Sequence, residues 1–158
     1  MFASVPRPAL WLGFAGLIPF YLTAVAAWTA PPPWAAVAIA LQLGYAGVIL
    51  AFLGAVHWGL ALGGYGGAEP SWGRLGLGVV PALVAWAVPV LPLVVALPVF
   101  IAAFGAMLTA DFRAAANGTA PPWYPALRKP LTFFAVLALA LSLARILAAT
   151  QVAAPGAP

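Results

Sequence analysis

The sequence predicts an all-α integral membrane protein, a bundle of five transmembrane helices in a single domain over residues 1–158. Of its 158 residues, 66% are hydrophobic and only 5% are charged, and the mean hydropathy is +1.11. A soluble domain carries about a quarter of charged residues, so most of this surface must face lipid. Five apolar runs, separated by short segments rich in proline and glycine, are long enough to cross a bilayer.

The first span is predicted at about residues 8–28. Arg7 followed by an apolar run is also typical of a signal peptide. The run is about 20 residues long, however, which fits a spanning helix better than a signal core. We interpret it as a retained first helix, and we expect Pro19, in mid-span, to bend it.

The second span, at about residues 35–63, is longer than a perpendicular crossing requires, which predicts tilt. Small residues recur at every fourth position in its second half, namely Gly47, Ala51, Ala55, Gly59 and Gly63. Positions four apart lie near one another on a helix surface, and small residues let a second backbone come close in a membrane. We therefore expect a central helix that packs through this stripe.

The third and fourth spans are predicted at about residues 73–88 and 93–112. The glycine-rich loop before the third span has no following GK[ST] motif, so we interpret it as a connector rather than a phosphate-binding loop. A re-entrant pair is the alternative for these two short spans. Two full crossings are preferred because they place Trp86 at the level of the lipid headgroups. The fifth span is predicted at about residues 131–150.

Five crossings place nearly all of the basic residues on one side, namely Arg7, Arg74, Arg113, Arg128 and Lys129. Positive residues stay cytoplasmic, so we expect the N-terminus to be cytoplasmic and the C-terminus outside. The tryptophans then fall at two levels typical of aromatic belts. We expect Trp11, Trp58, Trp72 and Trp123 at the inner level, and Trp28, Trp34 and Trp86 at the outer level.

Several kinds of chemistry are disfavoured by the residue inventory. The chain has no cysteine and one histidine, too few ligands for a zinc site, and no nucleophile–base motif. We therefore expect no catalytic residue, no cofactor and no metal. The net charge of +4 is not arranged as a basic stripe, so we expect no nucleic-acid partner.

The same topology gathers the polar residues at the inner face: His57, Trp58, Glu69, Arg74, Asp111, Arg113, Trp123, Tyr124 and Arg128. His57 lies about two turns from the end of its helix, and Asp111 ends the fourth span at similar depth, so we expect a hydrogen bond between them. One interpretation is an interhelical clamp of His57, Asp111 and Arg128. The other is a site for a ligand or a proton, because ionisable groups within a span are costly.

Arg145 is expected near the outer end of the fifth span with no acid nearby. Its side chain would extend to the outer phosphates. The alternatives are a hydrogen bond to Gln42 at comparable depth, or contact with a lipid or a partner subunit.

Four segments carry a resemblance to a known family: LGFAGLIPF (12–20), YAGVILAFLGAVHWGLAL (45–62), the acid Asp111 and PPWYPALRKPLT (121–132). The chain resembles the transmembrane protein 69-like family of small inner-membrane proteins, a domain of unknown function. The resemblance implies about five spans and an inner membrane, without an assigned chemistry. Its motif positions in this chain are His57, Trp58, Gly59, Asp111, Trp123, Tyr124 and Arg128.

The sequence favours a non-enzymatic accessory or assembly subunit that packs against a larger respiratory or photosynthetic membrane complex. The alternative is a protein that binds a small molecule, a lipid or a proton through the His57, Asp111 and Arg128 cluster. We expect membrane lipids as partners and a bacterial inner membrane, rather than a mitochondrial one, as the location. An independent transporter is disfavoured because few polar residues are available to line a path through the membrane.

Overall fold

The computed structural model describes residues 2, 4–67 and 69–152, and the regular secondary structure of this part is entirely helical, with no strand. Six α-helices follow in order: α1 (Arg7–Ala15), α2 (Ile18–Thr29), α3 (Pro32–Leu62), α4 (Trp72–Ala87), α5 (Leu93–Ala116) and α6 (Tyr124–Val152). Two short 3₁₀ turns lie at Tyr65–Gly67 and Val88–Val90. With α1 and α2 taken together, these residues contain five segments long and apolar enough to span a membrane. The predicted all-α, five-span fold is confirmed. The single domain predicted over 1–158 also includes residues 1, 3, 68 and 153–158, which lie outside the described residues.

The first span is bent, but the break lies at Gly16 and Leu17, just before Pro19. Pro19 lacks the N–H that would donate to Ala15 one turn earlier, so the helix is interrupted on its N-terminal side. The hydroxyl of Tyr45 on α3 donates to the carbonyl of Gly16 at 2.9 Å. Polar backbone groups within a membrane must be satisfied inside the protein, and this hydrogen bond to Gly16 joins the bend to the central helix.

Two helices extend beyond the bounds of the predicted spans. Helix α5 continues to Ala116, past the predicted end near 112, and α6 begins at Tyr124 rather than near 131. Pro125 lies in the first turn of α6, where its missing N–H costs nothing, so this proline belongs to the helix instead of preceding it. Arg128 is consequently a helical residue, about one turn into α6.

The predicted small-residue stripe on α3 is wrong as a packing face. Ala55, Gly59 and Gly63 are exposed, and a Cβ on Gly59 would meet no other part of the described protein within 4 Å. Each step of four residues advances about 40° around a helix with 3.6 residues per turn, so the stripe turns away from the neighbouring helices. Gly47 alone of the glycines in the stripe packs on other helices, near Ala85 and Phe100.

The close approach between helices lies instead at Gly54 of α3 and Gly78 of α4. A Cβ on Gly54 would collide with the carbonyl oxygen of Gly78, and one on Gly78 would collide with the Trp58 ring and lie 2.9 Å from the carbonyl oxygen of Gly54. Trp58 closes over this crossing and donates its Nε1 hydrogen to the Leu75 carbonyl at 2.6 Å. Helix α3 also packs against α2 and α5 and is the most buried span, so its predicted central position is confirmed.

The core between α2, α3 and α5 is aromatic and aliphatic. Phe20 meets Tyr45 edge to face at 5.1 Å between ring centroids and Phe104 at 6.1 Å. Outside this core most large side chains are exposed and apolar, including six of the seven tryptophans; Trp123 is partly buried. An apolar exterior of this kind is what a lipid-facing bundle requires.

Three chain segments meet at the polar end of the bundle. The connection after α3 touches the connection after α5, since a Cβ on Gly66 would collide with the Gly118 carbonyl. Gly13 of α1 packs against Leu127 and Leu131 near the start of α6. The start of the chain and the ends of α3 and α5 therefore lie towards one end of the bundle, where the candidate site is found.

Candidate functional site

The candidate site is built around Asp111, whose side chain is completely buried on α5. Its Oδ1 lies 2.8 Å from Nε2 of His57 on α3, and its Oδ2 accepts a hydrogen bond from Nε of Arg128 on α6 at 2.7 Å. One carboxylate thus joins three helices. The predicted contact between His57 and Asp111 is present in the structure, and we call these three residues the charged triad.

The helical periodicity of buried residues places Asp111 and His57 in the interior of the bundle. Buried positions on α5 recur at spacings of three and four residues: Leu97, Phe100, Phe104, Met107, Asp111 and Ala114. Asp111 therefore occupies a core position on an otherwise apolar face. His57 follows Leu50, Leu53 and Gly54 on the inner face of α3 in the same way.

The hydrogen-bonding roles within the triad follow from the charge of Asp111. An ionised carboxylate only accepts, so Nε2 of His57 carries the hydrogen and donates it to Oδ1. In a neutral imidazole, Nδ1 is then left as an acceptor, and on protonation it becomes a donor. Arg128 and Asp111 offset each other's charge, which makes their burial tolerable.

A cavity of about 450 Å³ lies beside the triad, on the His57 side. Its polar wall is formed by His57, Arg74, Thr109, Arg113, Asn117 and Thr119. Arg74 is oriented by a hydrogen bond from Nη2 to the Tyr65 carbonyl at 3.2 Å. Arg113 is exposed and forms no ion pair with any residue that the structure describes. The wall contains two guanidinium groups and one imidazole, and no acidic side chain among its described residues.

The remaining residues predicted at this face are distributed around the cavity rather than inside it. Trp58 closes the crossing of α3 and α4. Trp123 and Tyr124 pack edge to face at 5.9 Å between ring centroids, and both line a second cavity, on the Arg128 side of the triad. Glu69 is exposed in the connection before α4 and contacts no member of the triad.

Gln42 and Arg145 are not paired with each other, so the hydrogen bond considered between them is wrong. The amide of Gln42 donates to the carbonyls of Phe20 at 2.9 Å and Ala138 at 3.4 Å. The guanidinium of Arg145 lies over the Trp28 ring, 6.0 Å from its centroid, within reach of a cation–π interaction. Backbone carbonyls of α2 and α6 were available to Gln42, and an aromatic face was available to Arg145.

Thr132 is a buried polar residue that the sequence reasoning missed. It lies one turn after Arg128 on α6, and its Oγ1 has no hydrogen-bond partner within the described chain. A threonine four residues after a buried arginine shares its helix face, which is the signal that would have identified it. No group of three or more histidine, cysteine, aspartate or glutamate side chains suited to a metal ion occurs among the described residues.

Comparison with known proteins identifies the family. Residues 5–144 match a family described as "Protein of unknown function (DUF3429)". Transmembrane protein 69 of Xenopus tropicalis is 37% identical over 140 residues, which cover 89% of this chain and 55% of that relative. Transmembrane protein 69 of Mus musculus is 36% identical over 89 residues, covering 52% of this chain and 33% of that relative.

The chain therefore spans about half the length of the first of these curated relatives. No solved structure matches it. The chain belongs to the DUF3429 family, and its resemblance to the transmembrane protein 69-like family is confirmed. It is a multi-pass membrane protein.

Proposed function

We propose that this DUF3429 protein is a non-enzymatic membrane protein that binds an anionic group in the cavity beside His57. The observation that carries the proposal is the composition of the described cavity wall: two arginines and one imidazole, without an acid. Asp111 is already bonded to His57 and Arg128, so its charge does not neutralise Arg113. A phosphate or carboxylate would complement the excess positive charge.

The arginines suit this role for geometric as well as electrostatic reasons. A guanidinium presents several donors in a fixed plane that match the oxygens of phosphate and carboxylate groups. Arg74 is held through Tyr65, which reduces the entropy lost on binding. Arg113 belongs to α5, two residues after Asp111, so it is fixed relative to the charged triad at its backbone.

His57 would add its imidazole to the wall of the site. Asp111 holds Nε2, which leaves Nδ1 for the cavity side of the ring. A ligand held at Nδ1 would leave the bond between Nε2 and Asp111 intact, so the ligand role and the clamp role considered for this cluster are compatible.

Two sources of the anion share this chemistry: the phosphate of a membrane lipid and a free phosphate in solution. The predicted topology places the cavity at the cytoplasmic face of an inner membrane, where both are present. Titration calorimetry of the full chain in maltoside micelles separates them, using sodium phosphate, dihexanoyl phosphatidylglycerol and the zwitterionic dihexanoyl phosphatidylcholine. We expect the anionic lipid or phosphate to bind and phosphatidylcholine to bind more weakly.

The variant Arg113→Gln tests the site itself, with Arg145→Gln as the matched control from the opposite end of the bundle. Loss of one charge-assisted hydrogen bond lowers affinity about tenfold or more, so Arg113→Gln should weaken binding and Arg145→Gln should not. A higher salt concentration should also weaken binding of the anion. Equal affinity of the two variants, or no binding by either anion, would contradict the proposal.

A second candidate function is that of an accessory or assembly subunit of a larger respiratory or photosynthetic complex. The observation favouring it is the exposed part of the small-residue stripe, Ala55 and Gly59 on α3, which no helix of the described chain covers. Small exposed residues allow a second membrane helix to approach closely. The surface would then be covered by a helix of a partner protein.

Gly59→Leu tests this role, with Gly44→Leu as its control on the same helix. A Cβ at either glycine would meet no other part of the described protein within 4 Å, so both variants should fold. Purification in mild detergent should yield a particle larger than the monomer, which Gly59→Leu loses and Gly44→Leu retains. Recovery of wild-type protein only as a monomer would count against an accessory role.

A further inference from the structure

The second cavity, of about 440 Å³, is an apolar groove between α1, α2, α3, α5 and α6. Phe20 and Phe104, both buried, line its inner part, and the exposed Leu12 and Phe52 line its outer part. Its volume lies in the range of small-molecule sites. It shares no lining residue with the cavity beside His57, so it is a separate site.

Two residues in the wall of this groove carry buried hydrogen-bonding atoms without partners in the described chain. Arg128 is 5% exposed and Thr132 4% exposed. Within the described residues, Nη2 of Arg128 and Oγ1 of Thr132 form no hydrogen bond, and both residues line the groove. Buried donors without partners are rare and costly. Two of them on one face of α6, at the edge of an apolar groove, indicate that something else supplies an acceptor.

We propose that the groove binds an amphiphile with an uncharged carbonyl head and a hydrocarbon chain. The carbonyl oxygen accepts hydrogen bonds from Nη2 of Arg128 and Oγ1 of Thr132. The chain lies along the apolar wall past Phe20 and Phe104. Arg128 requires a head group that accepts hydrogen bonds, because its guanidinium donates hydrogen bonds and cannot accept them.

The head is uncharged because Asp111 already offsets the charge of Arg128 through the bond at 2.7 Å. A carboxylate head would bring a second negative charge next to the same guanidinium and near Asp111. Like charges repel strongly where the dielectric constant is low, and the charge would lack a compensating partner. A carbonyl of an ester, a ketone or a quinone satisfies both donors without that cost.

The groove is open towards the surroundings of the bundle rather than only at its end. Leu12 and Phe52, on α1 and α3, are 75% and 60% exposed. In a bilayer this side of the bundle faces lipid, so a hydrophobic ligand enters from the membrane without crossing water. The cavity beside His57, by contrast, has a polar wall of arginine, threonine and asparagine side chains. The two sites therefore receive different classes of ligand, separated by the charged triad.

The test uses three probes with the same chain length: methyl laurate, laurate and dodecane, each labelled with ¹³C at its first carbon. Each is titrated into the full chain in lipid nanodiscs, and binding is followed by the ¹³C resonance. We expect saturable binding of methyl laurate, with a carbonyl shift that reports hydrogen bonding, and weaker binding of laurate and dodecane. Equal binding of dodecane would overturn the proposal, because the groove would then hold any acyl chain. Tighter binding of laurate would overturn the uncharged head.

Thr132→Val removes the hydroxyl while keeping the shape of the side chain. Ser142→Ala is the matched control, because Oγ of Ser142 is also buried on α6 without a partner in the described chain, yet Ser142 does not line the groove. Loss of one hydrogen bond should weaken methyl laurate binding about tenfold in Thr132→Val and leave it unchanged in Ser142→Ala. Unchanged affinity in Thr132→Val would contradict the assignment. Phosphate binding beside His57 should persist in both variants, which separates this proposal from the proposed function.

Discussion

Nε of Arg128 donates to Oδ2 of Asp111 at 2.7 Å, deep between two helices that the chain connects through only a short loop. Both residues are buried, and the other carboxylate oxygen is bonded to His57. Asp111 therefore holds α3, α5 and α6 together while separating a polar cavity from an apolar groove. This arrangement places His57 in the wall of one cavity and Arg128 in the wall of the other.

The triad should behave as one energetic unit. Asp111→Leu leaves Arg128 buried without its partner, which should lower the free energy of unfolding by about 3–5 kcal/mol. The double variant Asp111→Leu with Arg128→Met should be less destabilised than the two single variants added together. Unfolding by dodecyl sulfate in mixed micelles measures the free energy of unfolding of each variant. Arg113→Met, at an exposed residue, is the control and should change stability little. If the effects of Asp111→Leu and Arg128→Met simply add in the double variant, the triad is not coupled.

The crossing of α3 and α4 should depend on Gly54. A Cβ at Gly54 would collide with the backbone of Gly78. The clash can be relieved only if the whole of α4 moves away from α3. Gly54→Ala should therefore destabilise the bundle by about 1–3 kcal/mol. Gly59→Ala, with open space around its Cβ, should be neutral or gain up to about 1 kcal/mol in helix propensity. The same unfolding titration compares them, and equal effects would contradict the assigned crossing.

The bend in the first span should depend on Tyr45. Tyr45→Phe removes the hydroxyl that donates to the Gly16 carbonyl at 2.9 Å, and an intramolecular hydrogen bond contributes about 0.5–1.5 kcal/mol. We expect a loss of that size in the free energy of unfolding. Tyr65→Phe, in the exposed connection after α3, should have no measurable effect. A Tyr45→Phe protein as stable as wild type would mean that the bend does not need this bond.

Much of the fold could be predicted from the sequence because a membrane restricts the choices. Long apolar runs must be helices there, and five were found. The pairing of His57 with Asp111 could be predicted because each lies at a similar distance from the end of its helix. Depth along the membrane normal is readable from sequence when the spans are correctly placed.

Rotation about the helix axis was harder to predict. The stripe through Gly59 was chosen by regular spacing, whereas the observed crossing uses Gly54, only five residues away. Small residues occur on more than one face of α3, and the sequence of one helix does not indicate which face packs against a neighbouring helix. The start of α6 differs for another reason: a span predicted from residue 131 leaves Pro125 outside the helix, although proline is favoured in the first turn of a helix.

The topology predicted from the basic residues can be measured directly. The chain contains no cysteine, so single cysteines can be introduced without removing others. Glu69→Cys and Asn117→Cys should react with a membrane-impermeant maleimide only from the cytoplasmic side. Val90→Cys, in the exposed turn between α4 and α5, should react only from outside. Reaction of the first two from outside would reverse the predicted orientation of the N-terminus.

The anion site beside His57 is tested most directly by locating a heavy oxyanion. Crystals soaked in sodium tungstate, measured at the tungsten absorption edge, should show an anomalous difference peak within hydrogen-bonding distance of Arg113 and His57. The peak should be absent from crystals of Arg113→Gln. Peaks found only elsewhere, for example at Arg145, or a peak that persists unchanged in Arg113→Gln, would contradict the account.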